Sequence, residues 1–150
     1  MKKFVWVLLI CLLFTACDPS TDYKGMVAEL TGLNITGSTI ISQTDSHGGF
    51  LGDGELCVVF DCSKIADSVA QQTKSWRRCP LSENLQLVRS DTEKYGIPEI
   101  SNGCYYFVNR QASKDKAHDD AALIGSASYN FSLFLYDEDT CKLYYYELDT

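Results

Sequence analysis

Alternation of apolar and polar positions is clearest near the end of the chain. Residues 128–136 and 142–148 alternate with a period of two and are rich in aromatic side chains. Because successive side chains of a β-strand point to opposite faces of the sheet, this period predicts two strands. The acidic segment 137–140 between them is typical of a turn. The chain is therefore predicted to contain a C-terminal β-hairpin.

Three earlier segments are also predicted as strands: 38–44, 55–62 and 104–109. In the second of these, the even-numbered positions 56, 58, 60 and 62 are all hydrophobic and would share one face of the sheet. A glycine-rich stretch separates the first two segments. They are therefore predicted to form a hairpin with a long loop.

One helix is clearly predicted, over residues 64–73, with Ser63 as its N-cap. Ile65, Val69 and Trp76 lie at spacings that place them on one apolar stripe. Such a stripe is what a helix needs in order to pack on a sheet.

The remaining segments are less regular. A short helix is predicted over 23–30, with Gly32 ending it. Residues 82–89 fit either a short helix or a strand, and 90–102 are predicted to be a loop. Residues 110–121 are charged, and we expect them to lie in solvent.

Five strands and one clear helix predict an α+β fold. We expect a mainly antiparallel sheet of about five strands, with one packed helix on one face and the C-terminal β-hairpin. Tyrosines then fall on both faces: Tyr105, Tyr106, Tyr144, Tyr145 and Tyr146. One set packs beneath the helix. The other either forms an aromatic surface for a protein or glycan partner or is covered as well.

The charge balance limits the classes of partner. The chain has 150 residues, with 13 Lys and Arg against 20 Asp and Glu. Without residues 1–16, which hold Lys2 and Lys3, the balance is 11 basic against 20 acidic residues, a net charge of −9. Nucleic acid and anionic lipid headgroups would repel such a body. We therefore expect no nucleic-acid partner.

The first 17 residues, MKKFVWVLLICLLFTAC, have the layout of an export signal. Two lysines precede an apolar run over 4–14, which is too short to cross a bilayer, since spanning takes about 20 residues. The segment Thr15-Ala16-Cys17 resembles the lipobox of bacterial lipoproteins. That resemblance implies cleavage after Ala16 and a lipid on Cys17.

The resemblance also implies a domain organisation and a location. Residues 1–16 would be the cleaved signal peptide, 17–25 a lipidated tether and 26–150 a single α+β domain. The lipid anchor would hold the protein on the cell membrane, facing away from the cytoplasm. Asp18 resembles the residue that keeps such lipoproteins on the inner membrane when the source has two membranes.

A second resemblance covers about residues 37–150. The stretches SHGGFLGDG, PEISNGCYYF, SYNFSLFLYD and KLYYYELDT are together similar to a family of small uncharacterised bacterial proteins, many of them lipoproteins. The resemblance implies no activity, cofactor or catalytic residue. Members commonly carry tyrosine or another residue where Cys104 stands here, so no shared disulfide framework is implied.

The glycine-rich loop at 45–54 is the best candidate for a binding site. Its candidate residues are Asp45, His47, Gly48, Gly49, Asp53 and Glu55. Converging backbone N–H groups and a histidine would suit an anion, whereas three carboxylates would suit a hard cation, which we favour slightly. The third alternative, which we favour over both, is a wide hairpin turn whose glycines serve only the backbone.

The cysteines carry less information. After Cys17, five remain: Cys57, Cys62, Cys79, Cys104 and Cys141. No zinc-binding spacing is present. Cys57 and Cys62 would lie roughly 16 Å apart along one strand, which is too far for a disulfide. Any disulfide would therefore join distant segments, and the sequence does not choose among them.

No catalytic constellation or cofactor motif is recognisable. A nucleophilic Cys57 paired with His47 or His118 is disfavoured, because Cys57 lies in a hydrophobic strand. We therefore expect a lipid-anchored, non-enzymatic binding or interaction module of the cell envelope. The alternative is an immunity or inhibitor lipoprotein that neutralises a toxin or lytic enzyme, since an acidic body suits a basic target.

Overall fold

The computed structural model of this protein describes residues 21–48 and 52–150. The predicted signal peptide, Cys17 and Gly49 lie outside these residues. The segment predicted as the tether lies partly outside them, and the first helix begins within it, at Tyr23.

A single antiparallel sheet of six strands forms the centre of the molecule, in the order β1-β2-β6-β5-β4-β3. The strands are β1 (Thr39–Asp45), β2 (Gly54–Asp61), β3 (Arg77–Arg78), β4 (Gly103–Asn109), β5 (Asn130–Asp137) and β6 (Lys142–Asp149). The α+β class, the antiparallel sheet and both predicted hairpins are confirmed. The sixth strand is β3, which escaped prediction because it consists of two arginines.

Within the part of the chain that the structure describes, four short α-helices and two 3-10 turns surround the sheet. The helices are α1 (Tyr23–Thr31), α2 (Ala66–Gln72), α3 (Glu83–Gln86) and α4 (Arg89–Lys94), and the 3-10 turns are Ser63–Ile65 and Asp120–Leu123. Helix α1 ends as predicted at Gly32, whose φ is 75° and whose N–H donates to the carbonyl of Ala28. Within the described residues, no helix is both long and apolar enough to cross a membrane.

Helices α1 and α2 cover the face of the sheet that we call the first face. Val27 of α1 and Val69 of α2 are fully buried there, against strand residues such as Phe60 and Tyr145. The predicted stripe on α2 is confirmed, because Ile65, Val69 and Trp76 contact this same core. Burial of these apolar side chains holds the helices in place.

Helices α3 and α4 lie over the opposite face, which we call the second face. Leu85 and Val88 pack there against strand residues such as Tyr105, Tyr144 and Tyr146. The prediction of a single packed helix on one face is therefore wrong, and the tyrosines do not form an open surface. Helix α4, RSDTEK, escaped prediction because it is wholly polar and buries only Thr92.

Two local predictions also need correction. Ser63 is not an N-cap; its N–H is accepted by the carboxylate of Asp61, and a 3-10 turn precedes α2. The segment 110–121 is not simply solvated, because Asp120 is buried and Arg110 reaches two carboxylates of β6. Ion pairing allows such charged groups to be buried.

Candidate functional site

The structure separates the predicted loop residues into two groups. Asp45 ends β1, and its carboxylate contacts His47. Glu55 lies on β2 but pairs with Lys94 of α4, 2.6 Å away, across the second face. Gly48 and Asp53 are exposed. The structure therefore places Asp45 and Glu55, two of the three carboxylates considered for a cation, on opposite faces of the sheet.

His47 bridges two carboxylates on the first face. Its Nδ1 lies 2.7 Å from Asp45 Oδ1, and its Nε2 lies 3.1 Å from Asp149 Oδ2. Because both ring nitrogens face acceptors, the ring satisfies both only as the imidazolium. Partial burial alone would lower the pKa of His47, but the hydrogen bonds and charges of Asp45 and Asp149 raise it.

Arg110 continues this network along β6. Its guanidinium contacts Asp149 Oδ1 at 2.5 Å and Glu147 Oε1 at 2.9 Å. Glu147 is 9 % exposed, and its other oxygen accepts hydrogen bonds from the hydroxyls of Tyr145 and Ser132. Charge-assisted bonds of this kind satisfy carboxylates that water cannot reach.

We call Asp45, His47, Arg110, Glu147 and Asp149 the loop cluster. It holds two basic and three acidic groups, and each acidic group contacts at least one basic group. The ligand atoms of His47, Glu147 and Asp149 lie within 4.8 Å of one another, as in a metal site. Arg110, however, already contacts both carboxylates, and its charge opposes a cation there. The cluster therefore fastens the loop to the sheet.

Glycine is needed at one point of this loop for close approach. A Cβ on Gly54 would lie 2.5 Å from the Cα of His47, a backbone atom that cannot move aside cheaply. Gly54 stands opposite Asp149 in the register of β2 and β6. Because Gly54 has no side chain, His47 can pass over β2 and reach Asp149. This close approach favours a hairpin turn with structural glycines over an anion site or a cation site in the loop.

A separate cleft of about 300 Å³ lies on the second face, beside the end of β6. We call it the Leu87 cleft. Its apolar wall comprises Leu87, Val88, Leu123, Tyr129 and Leu148. Leu87 is 62 % exposed. A cleft with an exposed apolar rim is the usual form of a binding site.

Two acidic residues, Glu55 and Asp91, also line the Leu87 cleft. Glu55 Oε1 contacts Lys94, and the Tyr95 hydroxyl is a further neighbour of this carboxylate; burial and the charge of Glu55 both raise the pKa of Tyr95. Glu55 Oε2 is buried and has no hydrogen-bond partner among the described residues. A buried carboxylate oxygen without a partner is costly. The two carboxylates in its lining suit the cleft to a ligand that carries a positive charge.

Asp120 positions one wall of the Leu87 cleft. Its carboxylate accepts hydrogen bonds from Arg77 (2.6 Å), Ser82 (2.8 Å) and Asn84 (2.9 Å). Burial would raise the pKa of Asp120, but these hydrogen bonds and the charge of Arg77 lower it. Asp120 therefore ties the 3-10 turn that carries Leu123 to helix α3.

Neither His47 nor His118 pairs with Cys57, the disfavoured nucleophile. Cys57 packs in the second-face core, and burial raises the pKa of its thiol to about 11. His47 is held by the loop cluster on the first face. His118 contacts the carbonyl of Phe107 and the hydroxyl of Tyr106.

Comparison with known proteins adds no relative. The chain matches no protein-family model, no curated protein and no solved structure.

Sequence reasoning missed Arg110, Asp120, Glu147 and Asp149. A signal existed for two of them, because Glu147 and Asp149 occupy alternate positions of an otherwise apolar strand and must share a face. Arg110 and Asp120 carried no such signal, since they lie in a charged segment without periodicity.

Proposed function

We propose that the protein is a lipoprotein of the cell envelope, anchored through Cys17, that binds a basic protein partner in the Leu87 cleft. The anchoring part rests on the leader and on its resemblance to the lipobox. The binding part is carried by one observation: an apolar cleft with the exposed Leu87 at its wall is also lined by two carboxylates, Glu55 and Asp91.

Charge complementarity argues for a basic partner. The chain without residues 1–16 has 11 basic against 20 acidic residues, and the Leu87 cleft itself contains Glu55 and Asp91. A partner that inserts an apolar side chain beside a lysine or arginine would fill the cleft and place a positive charge near its two carboxylates. Such a contact would weaken with salt, because the charges at its rim are screened.

A toxin or lytic enzyme is the second candidate for this partner. The acidic charge favours it, since it would speed association with a basic enzyme. The two functions differ in their readout. An inhibitor abolishes the activity of its partner when the two purified proteins are mixed, whereas an interaction module leaves that activity intact.

Site-specific crosslinking tests the binding site. A photoreactive amino acid would replace Leu87 in one variant and Ile41 in the other, because Ile41 is also exposed (51 %) but lies on β1, away from the cleft. We expect crosslinks in whole envelopes from position 87 to a basic protein, fading as salt rises from 50 to 500 mM. Identical products from both positions, or none from position 87, would refute the site.

Affinity measurements with the captured protein complete the test. Leu87→Arg introduces a repulsive charge on an exposed side chain and should weaken binding at least 10-fold, whereas Ile41→Arg should leave it unchanged. Equal effects of the two substitutions would refute the Leu87 cleft as the binding site.

The anchor is tested separately, because Cys17→Ser should release the protein from the membrane fraction. Persistent membrane partitioning at the processed size would contradict lipidation.

A further inference from the structure

The cysteines of the first face suggest a disulfide. Cys62 directly follows β2, and Cys141 directly precedes β6. The last pair of the β2–β6 ladder is Asp61 with Lys142, so Cys62 and Cys141 come next in the same register. The N–H of Cys62 donates to the carbonyl of Cys141 at 2.9 Å, which extends the pairing to these two residues.

Both cysteines are free thiols in this structure, but the register brings their Cα atoms into the range that a disulfide spans. Directly opposed residues of an antiparallel pair have Cα atoms about 4.5 to 5.5 Å apart. Disulfides span Cα separations of roughly 4.4 to 6.8 Å. Cys62 and Tyr136 pack in the first-face core. The Cys141 sulfur is a neighbour of Tyr136 and lies 3.9 Å from the carbonyl oxygen of Glu138. Burial raises the pKa of Tyr136, and so do the neighbouring Cys141 and Cys62.

Cys79 and Cys104 lie near each other across β3 and β4, because the N–H of Cys79 donates to the carbonyl of Gly103, but these two cysteines are not directly opposed. Cys57 and Cys79 pack on the second face, whereas Cys104 packs on the first. Cys104 lies on β4, three strand spacings from β2, or about 14 Å. Among the five cysteines within the described residues, Cys62 and Cys141 are therefore the pair that the topology joins.

The backbone of Cys141 supports a special role for this residue. Its φ is 54°, the one positive value among the described residues other than glycine. This region is unfavourable for a side chain with a Cβ and usually holds glycine or asparagine in a turn. A cysteine that stays in this conformation needs a compensating interaction, and a covalent bond to Cys62 would supply one.

We propose that Cys62 and Cys141 form a disulfide that fastens the end of the β2–β6 pair when the protein is oxidised. The oxidant would be a disulfide-bearing partner. The half-buried Cys141 would attack it as the thiolate, forming a mixed disulfide and releasing one thiolate of the oxidant. The Cys62 sulfur, on losing its proton, would then attack the sulfur of Cys141 and release the second thiolate of the oxidant. Two protein thiols are thereby oxidised, and the oxidant is reduced to a dithiol.

Burial explains the order of these two attacks. Cys62 is fully buried, and burial raises the pKa of its thiol to about 11. It would therefore not react first with an external oxidant. This proposal is independent of the partner in the Leu87 cleft, since the cysteine pair lies on the other face of the sheet.

Oxidised glutathione serves as the probe. The full chain would be equilibrated with it, unfolded, alkylated, then reduced and alkylated with a second reagent before peptide mapping. We expect Cys62 and Cys141 to carry the second label as one linked pair, while Cys57, Cys79 and Cys104 carry the first. The first label on both Cys62 and Cys141, or a linked pair other than these two, would overturn the proposal.

Thermal unfolding gives a second readout. A reductant should lower the Tm of the oxidised wild-type protein by something on the order of 5–15 °C. Cys79→Ser, the matched control, should show the same loss, whereas Cys141→Ser should unfold at one temperature with or without reductant. A reductant-sensitive Tm in Cys141→Ser would also overturn the proposal.

Discussion

Removal of Arg110 is the sharpest test of the loop cluster. The change Arg110→Met keeps most of the apolar stem but deletes the guanidinium that contacts Glu147 and Asp149. Glu147 then remains as a buried carboxylate whose described partners are the hydroxyls of Tyr145 and Ser132. Stripping a buried charge of its ionic partner costs about 3–5 kcal/mol.

The expected magnitude lies near the lower limit of that range. The Arg110 side chain is 27 % exposed, so water would partly replace it. The pair with Asp149, itself 21 % exposed, adds at most about 1 kcal/mol. We therefore expect Arg110→Met to lower the free energy of unfolding by roughly 3 kcal/mol. Urea denaturation followed by circular dichroism measures this loss.

A double-mutant cycle separates the ion pair from other effects of the substitution. Glu147→Gln removes the buried charge, so Arg110→Met should cost about 2 kcal/mol less in that background. Arg78→Met is the matched control, because its ion pair with Glu138 lies in solvent and should matter little. Additive losses in the cycle, within about 0.5 kcal/mol, would refute a coupled buried pair.

Two further predictions concern the loop and the sheet. The pKa of His47 in the folded protein is raised above its ordinary value of 6.5. The ion pairs of His47 therefore stabilise the fold fully below pH 6.5, and this stabilisation is lost as the pH rises through the pKa of the folded state. His47→Gln should therefore cost on the order of 1 kcal/mol at pH 5.5 and less at pH 9 in urea titrations; an equal cost at both would contradict the bridge. Gly103→Ala would place a Cβ 2.2 Å from the carbonyl oxygen of Tyr136, so a loss of about 1–3 kcal/mol is expected. Gly48→Ala, in open surroundings, is the control, and a Tm for Gly103→Ala equal to that of the control would count against this contact.

Much of the sheet could be predicted because a strand reveals its faces locally. In β2, Leu56, Val58 and Phe60 do share the first face, and Cys57 and Val59 the second. The period of two assigns each of these residues to a face of the sheet without any knowledge of the neighbouring strands. The C-terminal hairpin followed in the same way, because its turn lies between two such segments.

The layers could not be predicted in this way. Helix α4 has no apolar stripe, and α3 spans only four residues, so neither carries a periodic signal. Their apolar contacts come from single residues such as Leu85 and Val88. Coverage of the second face therefore emerges only from the packed structure.

The candidate sites show the same division. The sequence by itself determined that a glycine-rich loop joins two strands and that Asp45 and His47 lie within it. Only the tertiary structure decided that Arg110 and β6 complete the loop cluster, that Glu55 serves the opposite face, and that Cys62 meets Cys141. The physical reason is that strand periodicity is set by neighbouring residues along the chain. Strand order and register instead bring together residues about 40 to 100 positions apart. They are set by the simultaneous burial of both faces of the sheet, which depends on the whole chain.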